Sequence, residues 1–416
     1  KIMDNFDRVV IGGGAAGFFA AVSAKTKNSN LNILIIEKSN KLLSKVLVSG
    51  GGRCNLTHAC YEPAKLVENY PRGSKELLGP FFQFQPADTI EWFDGHGVKT
   101  KVEKDGRVFP ASDKSSTIAN CLMDQATKLN IRVYENSHAN SINYQSKKFE
   151  IHLSNNSVIS ANKVLIATGG ISKNAHELID NFGHTIIPPV PSLFTFNIQD
   201  PRIEGLLGIS VPEVELKISF ISTKNKSKEF ISKGPLLITH WGISGPAVLK
   251  LSALAARYLH EENYKSTVSI DWIPQIPKTE VLNYLYEEKK IHPKKKAEST
   301  NINGWMPSRL WKRLIHATGI QADQTWGEIS NTKLQKFSEQ LKNGIFNISG
   351  KGIFKEEFVT CGGVKLSEVN FKTMESKIQP GLYFAGEILD IDGLTGGFNF
   401  QSAWTTAWIA AQSIGN

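Results

Sequence analysis

Near the start of the chain stand Gly12-Gly13-Gly14-Ala15-Ala16-Gly17, a GxGxxG spacing between an apolar run and a stretch of small and apolar residues. Such spacing suits a strand–turn–helix that receives a pyrophosphate. Gly12 permits the tight turn, Gly14 lets the backbone approach the phosphates, and Gly17 lets the helix pack on the sheet. Ala15 and Ala16 begin the helix, whose free N–H groups and positive dipole end face the anion. Glu37 lies about 20 residues further on, at the end of the next apolar run, where a carboxylate accepts hydrogen bonds from ribose hydroxyls. This first group of residues calls for an ADP moiety and does not separate FAD from NAD.

Three further groups extend the site. Ser49-Gly50-Gly51-Gly52-Arg53-Cys54-Asn55 combines a glycine run with a cation and an amide. Gly52 and its neighbours free the backbone to run close to a ligand. Arg53 can neutralise phosphate, and Asn55 can bond a ring edge or a ribityl hydroxyl. Ala167-Thr168-Gly169-Gly170 follows an apolar run and suits the C-terminal edge of an open sheet, where ligands bind. Finally, Gly386-Glu387, Asp390, Asp392 and Gly396-Gly397-Phe398-Asn399 lead into a long apolar helix. A second helix start would stabilise the negative charge of a reduced flavin at its N1–C2=O edge. NAD has no such need, so the C-terminal group selects FAD.

A flavin enzyme also moves protons. His240, Cys54, Cys361 and Asp390 are the candidate donors. A backbone-satisfied histidine competes with a catalytic one at His240, and a buried inert thiol competes with a reactive one at Cys54. Asp390 suits a bond to the cofactor or a helix cap. The four cysteines form no CxxC pair and the histidines no ligand spacing, which argues against a disulfide scaffold and against a metal.

The elements that must position these residues follow from the pattern. Residues 7–11 and 33–36 read as buried strands flanking a helix over 18–25, a βαβ unit. A helix over 115–130, a third parallel strand at 131–134, a meander over 139–160 and a strand at 163–167 follow. The texture changes after Pro188-Pro189-Val190-Pro191. The fold class is therefore α/β: a Rossmann-like FAD-binding domain (1–190 and 361–416), interrupted by a β-rich, barrel-like insert (191–274 and 345–360) and a small helical insert (275–344).

At 416 residues, with 41% hydrophobic and 21% charged residues, the chain is of globular composition. No apolar run suits a membrane span and no leader is read, which places the protein in the cytoplasm. The net charge is +9, and its densest basic stretch is Lys289-Lys290-Ile291-His292-Pro293-Lys294-Lys295-Lys296. An anionic partner and a solvated loop both fit that run. The absence of interleaved aromatics favours the loop and weighs against nucleic acid.

Taken together, these segments resemble the BaiN/YhiN-like family of FAD-dependent flavoproteins, in the glutathione-reductase-like class, with aminoacetone-oxidase-like relatives. The resemblance rests on residues 12–17, on 45–55, on Gly106-Arg107-Val108-Phe109-Pro110, on 234–240, on 242–246, on Val359-Thr360-Cys361-Gly362-Gly363-Val364, and on 383–401. It implies the same three-part architecture. It also implies FAD contacts at Glu37, Lys38, Lys45, Arg53, Asn55, Val133, Thr168, Gly386 and Asn399, with the Val133 backbone near the adenine. The chain departs from the family after Gly170, where 171–178 lack the usual Pro-Lys-Thr-Gly-Ser-type stretch and so leave the substrate open.

Members of that family reduce conjugated C=C bonds in steroid-like acids or oxidise small aminoketones. Three readings follow, in this order. The first is an oxidoreductase passing hydride between flavin N5 and a small organic substrate, with NAD(P)H as a transient reductant. The second is an oxidase of a small amine that releases hydrogen peroxide. The third is a non-enzymatic flavoprotein that binds RNA or a protein through its basic insert.

Overall fold

The computed structural model describes residues 4–170, 173–221, 227–352 and 359–416. The chain divides into two compact units, one made of Lys1–Val190 with Val359–Asn416 and the other of Pro191–Phe358.

The first unit is built on a nine-stranded sheet. Five of its strands are parallel, in the order Arg132–Tyr134, Ile33–Ile36, Asp4–Ile11, Val158–Ile166, Leu382–Phe384. All four residues of Ile33–Ile36 are buried, as expected of a parallel strand covered on both faces. Val158–Ile166 changes partner along its length. Its first half pairs antiparallel with Lys148–Leu153, and its second half pairs parallel with Leu382–Phe384. A strand from near the C-terminus thus sits beside one from the first half of the chain.

The glycine-turn helix runs Ala15–Lys27, beginning earlier than the pattern suggests because Gly14 is its N-cap. It packs against the C-terminal helix Phe398–Ile414, whose buried positions include Gln401, Trp404, Thr405 and Ile409. A helix buried on nearly every side needs partners for its polar groups. Here Gln401 Oε1 accepts from Thr57 and Thr89, Trp404 Nε1 donates to the Leu56 carbonyl, and Thr405 donates to the Phe84 carbonyl.

The second unit carries a seven-stranded sheet whose paired strands run antiparallel. Its centre is the long hairpin of Ser210–Ile221 and Ser227–Ile238. Among the described residues the sheet is open. Its end strands, Gly344–Ile348 and Gly350–Lys351, are separated by Ser349 alone, so the sheet curls like a barrel without a closing ladder. At its start, Leu193 takes a left-handed conformation (φ 59°), and the first strand there is the short Phe196–Asn197. Helices Lys278–Ile291, Ser308–His316 and Asn331–Asn343 share one core with this sheet, containing Trp272, Trp311 and Trp326.

Candidate functional site

The site is built within the first unit, at the C-terminal ends of its parallel strands. Gly12 has φ 118°, and a Cβ there would fall on the Ala167 carbonyl oxygen. A Cβ on Gly17 would fall on the Gly12 carbonyl. Both positions are closed to any side chain by the backbone itself. Gly14 differs, for a Cβ there meets nothing within 4 Å. The open side of the turn is therefore at Gly14, where the first helical N–H groups lie and no acidic residue opposes an anion.

A cavity beside this turn is lined by Gly12, Glu37, Lys38, Ser137, His138 and Thr168, with Ile11, Ile36, Ala139, Ala175 and Leu178 as its apolar walls. Glu37 is held by three donors: Gly13 N at 2.9 Å, Ser39 N at 3.0 Å and Ser39 Oγ at 3.0 Å. A carboxylate has about four lone-pair sites, so one remains for a ribose hydroxyl. Thr168 Oγ1 is buried without a hydrogen-bond partner, as a group awaiting a ligand would be. Val133 pairs with Ile35 on the edge strand, just before the lining residues Ser137, His138 and Ala139. Sequence reasoning missed those three, although they follow the strand it found. Of the departing stretch, residues 171–172 lie outside the described residues, while Ala175 and Leu178 border this cavity.

The second pole lies against the first. A Cβ on Gly386 (φ 78°) would stand 3.0 Å from that of Ala16, and Gly386 N donates to Thr406 Oγ1 at 3.0 Å. Lys45 forms an ion pair with Glu387 Oε2, which lies 4.0 Å from where a Cβ on Gly169 would be. Glu387 Oε1 is buried and unpartnered. Gly397 (φ 95°) caps the C-terminal helix. The Asn55 amide bridges the two segments, accepting from Gly397 N (3.0 Å) and donating to the Thr57 carbonyl (3.1 Å). Between Lys45 and Asn55, Gly50, Gly51 and Gly52 take φ of 57°, 68° and 84°, flanked by exposed Leu47 and Val48. An open glycine backbone beside apolar side chains can receive a flat ring. The residues present thus fit FAD along both segments.

Several expected residues are engaged elsewhere. Arg53 stacks on Phe109 at 4.0 Å and pairs with Glu103 (2.7 Å) and Asp113 (3.6 Å), so its charge is already balanced within the chain. Asn399 clamps Gly393 through both its N–H (2.8 Å) and its carbonyl (2.9 Å), and Phe398 stacks on His58 at 4.6 Å. Cys54 is buried, which pushes its thiol up to about 12. Cys361 is buried in Val359–Val364, and the Asp390 N–H bonds the Val364 carbonyl. In the second unit, His240 is exposed beside the Trp241 ring at 6.1 Å. Arg72 and the fully buried Asp392 form a bidentate pair that sequence reasoning did not anticipate. Among the described residues no group of three or more His, Cys, Asp or Glu could hold a metal, and no helix is long and apolar enough to cross a membrane.

A parallel sheet with an ADP-type turn, joined by a flavin-type second pole, defines a Rossmann-type FAD-dependent oxidoreductase. More particularly, the chain belongs to the HI0933-like family, whose Rossmann-domain description matches residues 6–413. It is 31% identical over 422 residues to the ribosomal RNA dihydrouridine synthase of Escherichia coli K12, covering 99% of this chain and 98% of that protein. It is 26% identical over 411 residues to the 3-dehydro-bile acid delta(4,6)-reductase of Clostridium scindens, covering 97% and 98%. Among solved structures, it shares its fold with 3-ketosteroid delta1-dehydrogenase from Sterolibacterium denitrificans (TM-score 0.52, 12% identity, 99% of this chain and 100% of that one).

Proposed function

We propose that this enzyme reduces a carbon–carbon double bond conjugated to a carbonyl, that its substrate is a uridine in ribosomal RNA, and that NAD(P)H supplies the electrons. The observation that carries the reading is the end-to-end similarity to a ribosomal RNA dihydrouridine synthase at 31% identity. The bile-acid reductase relative supports the reaction class, since a uracil C5=C6 bond and a 3-oxo-Δ4 steroid are both enone-like acceptors. The sequence alone weighs against nucleic acid, and this similarity reverses that weight.

Bound FAD would supply a hydride at N5. The chain's own residues do the rest. The turn at 12–17 and Glu37 hold the ADP end. Lys45 and Glu387 set a charged pair at the junction of the two segments. The N-terminus of Phe398–Ile414, with no acidic residue in its first turn, favours negative charge beside it. Saturating the double bond also needs a proton. The Cys54 thiol, buried and pushed up to about 12, is poorly matched to that task near neutral pH.

The test is anaerobic. NADH or NADPH should bleach the flavin, and a ribosomal RNA transcript lacking dihydrouridine should restore its colour while one uridine gains the mass of two hydrogen atoms. Recolouring only by oxygen, with peroxide release and reduction by a small amine, would instead establish the oxidase.

A further inference from the structure

The FAD site leaves unused the basic run of the second unit. Helix Lys278–Ile291 ends in Lys289 and Lys290, and Lys294, Lys295 and Lys296 follow. Lys290 and the latter three are all exposed. The ion pairs of this helical region use other cations: Lys278 with Glu339, Lys312 with Glu298, and Lys342 with Asp271. Nearby carboxylates are engaged as well. Glu328 closes a capping box on Thr325, and Glu298 takes His316 as well as Lys312. Glu287, Glu288 and Asp323 remain beside the run, fewer than its five lysines.

The run is not a loose loop. Trp326 N donates to the Lys295 carbonyl at 2.9 Å, Ala297 N donates to the Gln324 carbonyl at 3.1 Å, and Lys296 bridges to Thr325 in antiparallel fashion. Gly327 N donates to the Pro293 carbonyl at 2.8 Å. These bonds fix the backbone of 293–297, which places Lys294–Lys296 directly after Pro293, a lining residue of a groove shared with Tyr286, Lys289, Lys290, Gly327 and Asn331. Exposed cations in a row beside a groove match a sugar–phosphate chain, whose phosphates meet ammonium groups.

We infer that this groove and the exposed lysines that follow it dock the backbone of structured RNA, separately from the nucleotide that is reduced. The inference rests on the ribosomal RNA reading of the substrate and adds to it the surface that holds that RNA.

The experiment uses the full FAD-loaded chain, a ribosomal RNA transcript and a salt titration of its binding. Neutralising four phosphate contacts in K290Q/K294Q/K295Q/K296Q should lower the slope of log affinity against log salt by about 3, and weaken binding at low salt by at least about tenfold. K147Q/K148Q, at the exposed tip of the hairpin formed by Ala139–Gln145 and Lys148–Leu153, removes charge elsewhere and should leave the slope unchanged. Thermal midpoint and FAD content should match the wild type in both variants, since all six lysines are exposed.

If the fourfold variant keeps the wild-type slope and affinity while uridine is still reduced, the docking surface is overturned and the substrate reading stands. Equal loss in the control variant also overturns it, in favour of a general charge effect. A wild-type chain that reduces small enones but ignores RNA overturns both. Wild-type binding to polyglutamate and not to RNA overturns the RNA assignment in favour of an acidic protein partner.

Discussion

At the scale of single residues, the glycine turn separates two roles that the same motif conceals. Gly12 is closed by the Ala167 carbonyl and sits at positive φ, so Gly12→Ala should cost about 3 kcal/mol of stability. Gly14 faces open space at an ordinary φ of −97°, so Gly14→Ala should change stability by no more than about 0.5 kcal/mol. It should nonetheless reduce FAD retention by roughly tenfold, because its methyl stands where the pyrophosphate approaches. Melting of the flavin-free protein and flavin release on denaturation measure the two effects, and full FAD retention in Gly14→Ala would remove that residue from the site. The thiols offer a second check. With Cys54 near 12, roughly one thiol in a few thousand is ionised at pH 8.5, so iodoacetamide should leave it intact in the native protein. Cys60, only partly buried, should react first by mass spectrometry.

At the scale of elements, the buried Arg72–Asp392 pair ties the segment at 70–73 to the one at 389–392. Its neighbours are the bond from Leu394 N to the Asn69 carbonyl (2.8 Å) and that from Tyr70 Oη to the Phe398 carbonyl (2.6 Å). Asp392→Ala strands a largely buried guanidinium and should cost about 3 kcal/mol, whereas Arg72→Met with Asp392→Leu should recover most of that loss. Equal destabilisation by the single and double variants would mean the pair acts only through packing. This pair also shows what sequence could not tell. Ile33–Ile36 was legible because four adjacent apolar residues bounded by polar ones admit few alternatives, and the C-terminal helix was legible from the long apolar run that follows its glycine pair. Local pattern contains both. The turn Ser44–Gly52 was not legible as a helix, since its left-handed glycines follow no propensity. Arg53 reads as a phosphate ligand in the sequence, while its partners within the fold, Glu103 and Asp113, come from far along the chain. A motif names residue types, but the distant carboxylate that claims an arginine is visible only in space.

At the scale of the molecule, the chain leaves the first unit along Ile186–Ser192 and returns along Val359–Val364, and these two strands pair. Paired strands lie about 5 Å apart, so a linker of roughly five residues can replace residues 193–358. The excised unit should fold, retain FAD with its yellow colour, and show no salt-dependent affinity for RNA. A colourless or insoluble product would mean that the FAD-binding unit depends on its insert.

The placement of Leu382–Phe384 beside Val158–Ile166 has a consequence for how the chain is made. The ribosome releases about 220 residues between these strands, which at roughly 5–20 residues per second takes some 10–40 s. Meanwhile the N-terminal sheet lacks both its neighbouring strand and the helix Phe398–Ile414. The segment 191–358, by contrast, contains all the strands of its own sheet and can fold as it emerges. Nascent chains stalled near residue 380 should therefore resist protease across 191–358 and be cut readily before residue 190. Capture of the flavin would then be among the last events of biosynthesis, following translation instead of accompanying it.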